Sequence, residues 1–280
     1  MNRSFLFIPS TIEKYILKID TINADKFVID LEDSIDNRDL DIAYTLIKKH
    51  KKIFINKQIF ARVPKEICTY KILSFLASNG ISGFIIPKIF STRDLQKIIK
   101  NINKIKKKID LILLAETTYS IVNLNDLVQL TNKFSGIMFG HEDYSLDIKI
   151  FEGKNKNKFS YAREKIVAVA NANNLIPIES PYLSVKNNKG LKDYLKVSKE
   201  TGFKGLICLS PTQCKIANKS FLPDESSYKL SKKIIKLSKM NKQKKNIIYT
   251  NSTFVGPPLV KQSELIVKTY ENYKKKKITI

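Results

Sequence analysis

The sequence predicts a closed (β/α)8 barrel of the TIM class, followed by a C-terminal helical extension. Three observations lead there. Eight short apolar runs recur along the chain, each continuous rather than alternating, the pattern of parallel strands buried on both faces. Amphipathic stretches with the helical period separate them, so strand and helix alternate. The length of 280 residues suits one barrel of roughly 250 residues as a single domain. A doubly wound open sheet is the alternative topology.

The runs are Phe5–Ile8, Phe27–Leu31, Ile59–Val63, Gly83–Ile86, Leu111–Ala115, Gly136–Phe139, Ile176–Ile178 and Gly205–Leu209. Each is rich in Ile, Phe, Leu or Val and short enough for a strand. The helical patterns cover Thr11–Ile22, Asp39–His50, Lys71–Ser78, Ser91–Ile105, Asn123–Thr131, Tyr161–Asn173 and Leu191–Glu200. Ser91 with Asp94 reads as a capping box, and Asp39 and Asn123 are good N-caps. After the eighth run come a lysine-rich helix over Asp224–Lys244, an extended stretch "NIIYTNSTFVGPP", a helix over Pro258–Tyr270 and a basic tail. The expected division is a barrel over residues 1–223 and a helical extension over 224–280, which packs on the barrel or on a neighbouring subunit. There is no P-loop and no GxGxxG.

At 43% hydrophobic residues the chain can bury a large core. No apolar run approaches the ~20 residues that span a bilayer. The start, "MNRSFLFIPS", has an apolar stretch too short for a signal-peptide core, and a proline cuts it. The expectation is a soluble cytoplasmic protein without a membrane partner. Cys68, Cys208 and Cys214 are odd in number and form no CxxC, so neither a disulfide framework nor a zinc site is expected.

The formal charge of +24 raises a nucleic-acid reading. Of 50 Lys and Arg, however, only Arg3, Arg38, Arg62, Arg93 and Arg163 are arginine, and lysine is abundant together with Ile and Asn. That is a drift in composition rather than a basic patch. A nucleic-acid partner is disfavoured, and an anionic small-molecule substrate, drawn by the positive field, is preferred. The shortage also gives the arginines meaning. Where lysine serves, this chain uses lysine, so the remaining arginines are enriched at positions that need a planar fork gripping a carboxylate through two bonds.

Active sites of such barrels lie at the C-terminal ends of the strands. Those ends read Pro9-Ser10, Glu32-Asp33, Arg62, Pro87-Lys88, Glu116-Thr117, Glu142-Asp143, Glu179-Ser180 and Ser210-Pro211. Acids crowded at one mouth repel unless a positive charge sits among them. A hard divalent cation such as Mg2+ meets that need: it takes oxygen ligands, uses one or two carboxylates and leaves places for water and substrate. Arg62 beside it can hold a substrate carboxylate. The combination suits polarising a carbonyl and stabilising an enolate, hence making or breaking a carbon–carbon bond. Plainer readings stand beside these. Glu32, Asp33, Glu116 and Asp143 occupy places where helix-capping acids also occur, Lys88 is one of 45 lysines, and a loop histidine such as His141 is more often structural. The joint pattern favours Glu116, Asp143 and Arg62, and leaves the choice of metal ligands among the acids open.

Eight segments occur in order: "RSFLFIPS", "FVIDLEDSI", "ARV", "GFIIPKI", "LLAETTYSIVNLNDL", "FGHEDYSLDI", "YAREKIVAVANANNLIPIESPYLSVKN" and "GFKGLICLSPTQCKIANKSFLP". Together they resemble the HpcH/HpaI aldolase and citrate lyase beta-subunit family over nearly the whole chain. The resemblance implies a Mg2+-dependent barrel, trimeric or hexameric, that cleaves or forms carbon–carbon bonds. Its substrates would be citryl-, malyl- or related thioesters of CoA or a carrier, or free 4-hydroxy-2-oxo acids yielding pyruvate or oxaloacetate. Glu116 and Asp143 would be the direct Mg2+ ligands. Arg62 and Glu116 would contact the substrate, Arg62 at its carboxylate or oxo-acid end. Glu32 and Asp33 would hold metal-bound waters. Lys18 and Arg3 match basic positions near the entrance, where a CoA or carrier phosphate could lie, and Arg163 would tie a helix to the barrel.

The chain departs from the family pattern at four places. Ser210 stands where a histidine is common, and Ser10 where a glycine follows the proline. His141 replaces a small residue before the acid pair. Gly256 replaces an aspartate that would serve a neighbouring subunit's site as acid or base. The last departure puts malyl- and citramalyl-CoA chemistry in doubt and admits a catalytically impaired, metal-binding scaffold.

Overall fold

Eight parallel strands pair in sequence order, and the eighth returns to the first to close a barrel. They are β1 (Ser4–Pro9), β2 (Lys26–Asp30), β3 (Ile59–Arg62), β4 (Ile81–Ile86), β5 (Asp110–Ala115), β6 (Phe134–Phe139), β7 (Ile176–Glu179) and β8 (Gly205–Cys208). Each begins and ends within two residues of the predicted run. The structure is a computed structural model that describes residues 2–150, 159–241, 249–250 and 253–278. The end of the helix predicted over Asp224–Lys244 and part of the extended stretch after it lie outside those residues.

The barrel interior is packed rather than hollow. Every strand sends at least one buried side chain into a single cluster, from Phe5 of β1 to Ile207 of β8. Phe5 and Phe60 meet edge to face at 6.4 Å, the favoured geometry for two rings. This core fixes the strand register, and register decides which residues face one another at the mouth.

The helices in the barrel region are α1 (Glu13–Ile16), α2 (Leu40–Lys49), α3 (Lys51–Ile55), α4 (Tyr70–Ser78), α5 (Thr92–Asn103), α6 (Thr118–Val122), α7 (Leu124–Gln129), α8 (His141–Asp147), α9 (Ser160–Ala172), α10 (Asn188–Thr201) and α11 (Pro211–Ser220). The helix predicted over Thr11–Ile22 breaks into α1 and a 3-10 turn at Ile19–Thr21. Its buried residues, Ile16 and Ile19, are three apart, a spacing that the tighter turn aligns. Four helices were not predicted: α3, α6 and α8 are too short to show a period, and α11 opens with a proline that reads as a breaker although it suits a first helical turn. Of the predicted caps, Ser91 Oγ accepts from the Asp94 N–H at 3.2 Å, while the Asp94 carboxylate lies toward Lys65. Asp39 and Asn123 occupy N-cap positions without side-chain capping bonds. Asn123 Nδ2 donates back to the Tyr119 carbonyl at 2.9 Å, because α6 ends where α7 begins. A full reciprocal box forms instead between Thr117 and Ser120.

The chain divides into two compact units, Met1–Asn218 and Lys219–Ile280. The second contains α12 (Glu225–Asn241), the two-residue strands β9 (Tyr249–Thr250) and β10 (Thr253–Phe254), which pair antiparallel, and α13 (Pro257–Ile278). Tyr228 of α12 stacks on Tyr270 of α13 at 4.3 Å, and its hydroxyl donates to Glu271 at 2.9 Å. Among the described residues no helix is long and apolar enough to cross a membrane.

Arg163 ties three elements of the barrel unit together. From α9 its Nε donates to Glu179 Oε2 of β7 at 2.9 Å, and its Nη2 donates to the same oxygen and to Ser198 Oγ of α10. Glu179 is fully buried, where an acid left without its partner is costly. Arg163→Ala is therefore expected to cost about 3–5 kcal/mol of stability, because it strands a buried carboxylate. Urea unfolding of the variant checks this, and a loss below about 1 kcal/mol would show that the pair does not carry the junction.

Candidate active site

The site begins with two strand ends in register. Asp30, the last residue of β2, pairs across the sheet with Arg62, the last of β3. Their side chains meet through two bonds: Nε to Oδ1 at 2.6 Å and Nη2 to Oδ2 at 2.7 Å. The same carboxylate accepts the N–H groups of Glu32 and Ser34, each at 3.2 Å. It therefore shapes the loop that carries Glu32 and Asp33. Arg62 Nη1 reaches Asp33 Oδ2 at 2.8 Å and lies 2.9 Å from Glu32 Oε2. The guanidinium also rides over the Phe7 ring at 5.3 Å. Three of its five N–H donors are thus committed to carboxylates by hydrogen bonds. Burial opposes its charge, but Asp30 and its neighbours hold Arg62 well above the ordinary range.

Glu116 follows β5 directly. The Thr117–Ser120 box caps α6 by itself, so Glu116 is not needed as a helix-start acid and turns to the mouth instead. The Lys88 N–H donates to its Oε1 at 2.8 Å. Gly140, at the end of β6, lies so close that an added Cβ would be 2.5 Å from Glu116 Oε2. Burial, followed by the charges of Glu32 and Asp143, pushes the Glu116 carboxyl up to about 8. Burial also raises Glu32. Asp33 goes the other way: against desolvation, Arg62 and Lys88 hold it below the usual carboxylate range. Asp143 sits in the first turn of α8. Lys88 bridges the group, with Nζ 3.1 Å from Glu32 Oε1, 3.1 Å from Asp33 Oδ1 and 3.9 Å from Asp143 Oδ1.

All five residues expected at the mouth, Glu32, Asp33, Arg62, Glu116 and Asp143, thus come together. Two expected binding residues do not join them. Arg3 precedes β1 and stands at the N-terminal end of the barrel, the opposite end from the acids. Its Nε and Nη2 grip Asp25 at 2.8 Å each, and its Nη1 donates to the Asn218 carbonyl. The placement near the entrance is corrected: strand direction puts a residue before β1 at the far end. Lys18 is exposed on the turn after α1, outside the acid cluster. Glu179 is taken by Arg163, and Glu142 lies with its Oε1 2.6 Å from His141 Nε2. The His141 N–H donates to Ser180 Oγ. Ser10 Oγ is buried without a hydrogen-bond partner among the described residues.

Two residues of the site go beyond the sequence expectation. Asp30 falls inside the expected run Phe27–Leu31, whereas β2 ends on it; its signal is an acid at a buried strand end facing an arginine in register. Lys88 had no signal in a lysine-rich chain beyond its place after β4. Its φ of +49° is unusual for a residue with a side chain, and sequence does not show it.

The donor set suits a hard divalent cation. Glu116 and Asp143 offer carboxylate oxygens from neighbouring strand ends, and their mutual repulsion is what such an ion relieves. Among the described residues no group of three or more His, Cys, Asp or Glu forms a complete cage. A two-carboxylate site with places left for water and substrate is the Mg2+ pattern rather than the zinc pattern.

Fold and mouth define a closed parallel barrel with acids and two cations gathered at one end. The chain belongs to the HpcH/HpaI aldolase/citrate lyase family, whose model matches residues 3–211, and the family and its named members are carbon–carbon lyases. It is 24% identical to the mitochondrial citramalyl-CoA lyase of Homo sapiens, over 98% of this chain and 87% of that one. With the citrate lyase subunit beta of Haemophilus influenzae it shares 21% identity over 96% of each chain. The CitE protein of Mycobacterium tuberculosis, solved in complex with magnesium, acetoacetate and coenzyme A, has the same fold: TM-score 0.78 at 15% identity, over 96% of this chain and 98% of that one.

Two outcomes are expected from the Glu116 environment. Its folded pKa of about 8 lies above the ordinary 4.5, so in the metal-free protein the folded state holds a proton that the unfolded chain has released. The resulting stability is complete below pH ~4.5 and is lost as pH rises through ~8. Compared with Glu116→Gln, the wild type should therefore lose on the order of 4 kcal/mol across that window; parallel stability–pH curves would refute this. Gly140→Ala should displace Glu116 and weaken Mg2+ binding at least tenfold, about 1.4 kcal/mol, in calorimetric titration; unchanged affinity would show that the close approach is not needed.

Proposed function

We propose that this protein makes or breaks a carbon–carbon bond in a hydroxy-acyl thioester, citryl, malyl or a related acid carried on CoA or a protein carrier, with Mg2+ held by Glu116 and Asp143. The observation that carries this reading is the buried Glu116 beside Asp143, opposite Arg62 at one barrel mouth. The names of the relatives, citramalyl-CoA lyase and citrate lyase subunit beta, and the coenzyme A and magnesium in the CitE complex support the same substrate class and ion.

The bound ion would supply Lewis-acid polarisation of a carbonyl oxygen, where negative charge grows as the bond breaks. The protein's own groups do the rest. The Lys88 N–H and the bare Cα of Gly140 hold Glu116 in place. Glu32 and Asp33, held by Arg62 and Lys88, would accept hydrogen bonds from water around the ion. Asp30 locks one edge of Arg62 and aims the guanidinium at the mouth, where it would hold a carboxylate of the substrate. A preorganised donor of this kind lowers the barrier without reorganising during the reaction. The C-terminal unit is assigned to assembly into a trimer or hexamer, which light scattering on the purified protein tests.

One observation favours a second reading, an aldolase of free 4-hydroxy-2-oxo acids. Arg3 is at the far end of the barrel, gripping Asp25, so one of the two cations meant for a thioester's phosphates is not at the mouth. A free acid needs only the metal and Arg62.

Calorimetric titration with acetyl-CoA and with oxaloacetate, each with and without Mg2+, separates the readings. The thioester lyase predicts binding of both, with the oxo acid dependent on Mg2+ and lost in Asp143→Ala. Oxo-acid binding alone would leave the free-acid aldolase. Binding of neither would sink both and point to a scaffold. In whichever reaction is found, Asp30→Ala should lower kcat/KM by 100-fold or more, since it frees Arg62 from its aim at the substrate; a change under threefold would remove that role.

A further inference from the structure

Lys88 touches the acid cluster with backbone and side chain at once. Its N–H donates to Glu116 Oε1 at 2.8 Å. Its ammonium, on the same residue, sits among Glu32, Asp33 and Asp143, at 3.1, 3.1 and 3.9 Å. The positive φ at this residue sets the directions of both. The other cation of the cluster, Arg62, is spent mainly on Asp30. Lys88 is thus the charge that offsets the acids on the Asp143 side, and its side chain is 37% exposed, which leaves it room to swing into solvent.

A divalent cation on Glu116 and Asp143 would put two positive charges within a few ångströms of that ammonium. Such repulsion between close charges persists even in bulk water and is stronger at a half-buried mouth. The two cations therefore compete for the same carboxylates. We propose that Lys88 is a tethered counter-ion that stabilises the empty site and is displaced from Asp143 when the metal binds. Metal entry is then an exchange of an ammonium for a divalent cation. The hydrogen bond from the Lys88 backbone N–H to Glu116 is unaffected by the exchange, so one residue presents the first ligand and vacates the second. This rests on the reading of Glu116 and Asp143 as the metal pair.

The test is calorimetric titration of MgCl2 into the full chain in four forms: wild type, Lys88→Met, Lys88→Arg and Asp143→Ala, each checked for folding by circular dichroism. Methionine keeps the length and the peptide N–H but removes the charge. Lys88→Met is expected to bind Mg2+ about fivefold or more tightly than wild type, and to unfold at lower temperature without metal. Binding by Lys88→Met alone, with none by wild type, supports the exchange as well. Equal or weaker binding by Lys88→Met overturns it and makes Lys88 a support for the site. If Lys88→Met does not fold, Lys88→Arg decides: its fixed charge and broader fork should weaken Mg2+ binding, and equal or tighter binding overturns the proposal. Absence of Mg2+ binding in wild type and Lys88→Met, or binding unchanged in Asp143→Ala, defeats the metal-pair reading itself, a different result from failure of the exchange.

Discussion

The contact between Asp30 and Arg62 is the constraint on which the mouth of this barrel depends. Strand register brings the two residues level, and everything nearby is arranged from them. The carboxylate that grips the guanidinium also collects the N–H groups of Glu32 and Ser34, so one side chain sets both the arginine and the loop of acids facing it. The pair is almost fully buried, where an unpartnered charge of either sign would be costly. The barrel core supplies the rigidity: packing of the inner side chains, from Phe5 around to Ile207, fixes the strand offsets, and the offsets fix the pair. The site is thus preorganised from below rather than assembled by its loops.

Most of the fold was legible because parallel strands buried on both faces leave a plain trace, a short run of apolar residues with no alternation. Boundaries were less legible. The second run was carried one residue too far, to Leu31, because leucine continues the apolar pattern; that residue's difference hid Asp30. Short helices such as α6 and α8 escaped because fewer than eight residues do not display a period. The site was legible as a class, acids at strand ends, since repulsion between like charges implies a counter-charge whatever the fold's details. It was not legible as a set of contacts. Lys88 acts through a left-handed backbone and a reach across three strands, and neither has a signature in one chain. Arg3 was misplaced for a simpler reason: a basic residue beside a strand says nothing about which end of the barrel it joins until strand direction is counted.

The crowding of acids at the mouth also explains why the C-terminal departures do not by themselves argue for a relic. A scaffold freed from chemistry would gain stability by losing Glu116, which burial and its acidic neighbours hold far from its preferred charge state. Stability of the empty protein and readiness to take a cation pull in opposite directions here, a trade-off common to functional sites. The lysine bridge is the local compromise between them.

The arginine forks bear on how far such a sequence can change. Four of the five arginines hold an acid through two of their nitrogens: Arg3 on Asp25, Arg38 on Asp36, Arg62 on Asp30 and Arg163 on Glu179. Three of these grips are at least partly buried. In a chain of 45 lysines and five arginines, they mark places where lysine would not serve, because an ammonium offers one point of charge and lacks the planar fork that grips a carboxylate through two nitrogens. In other lysine-saturated sequences the surviving arginines can be read as a map of internal junctions before any coordinates exist, provided that the partner sought first is an acid of the same chain and only then a ligand.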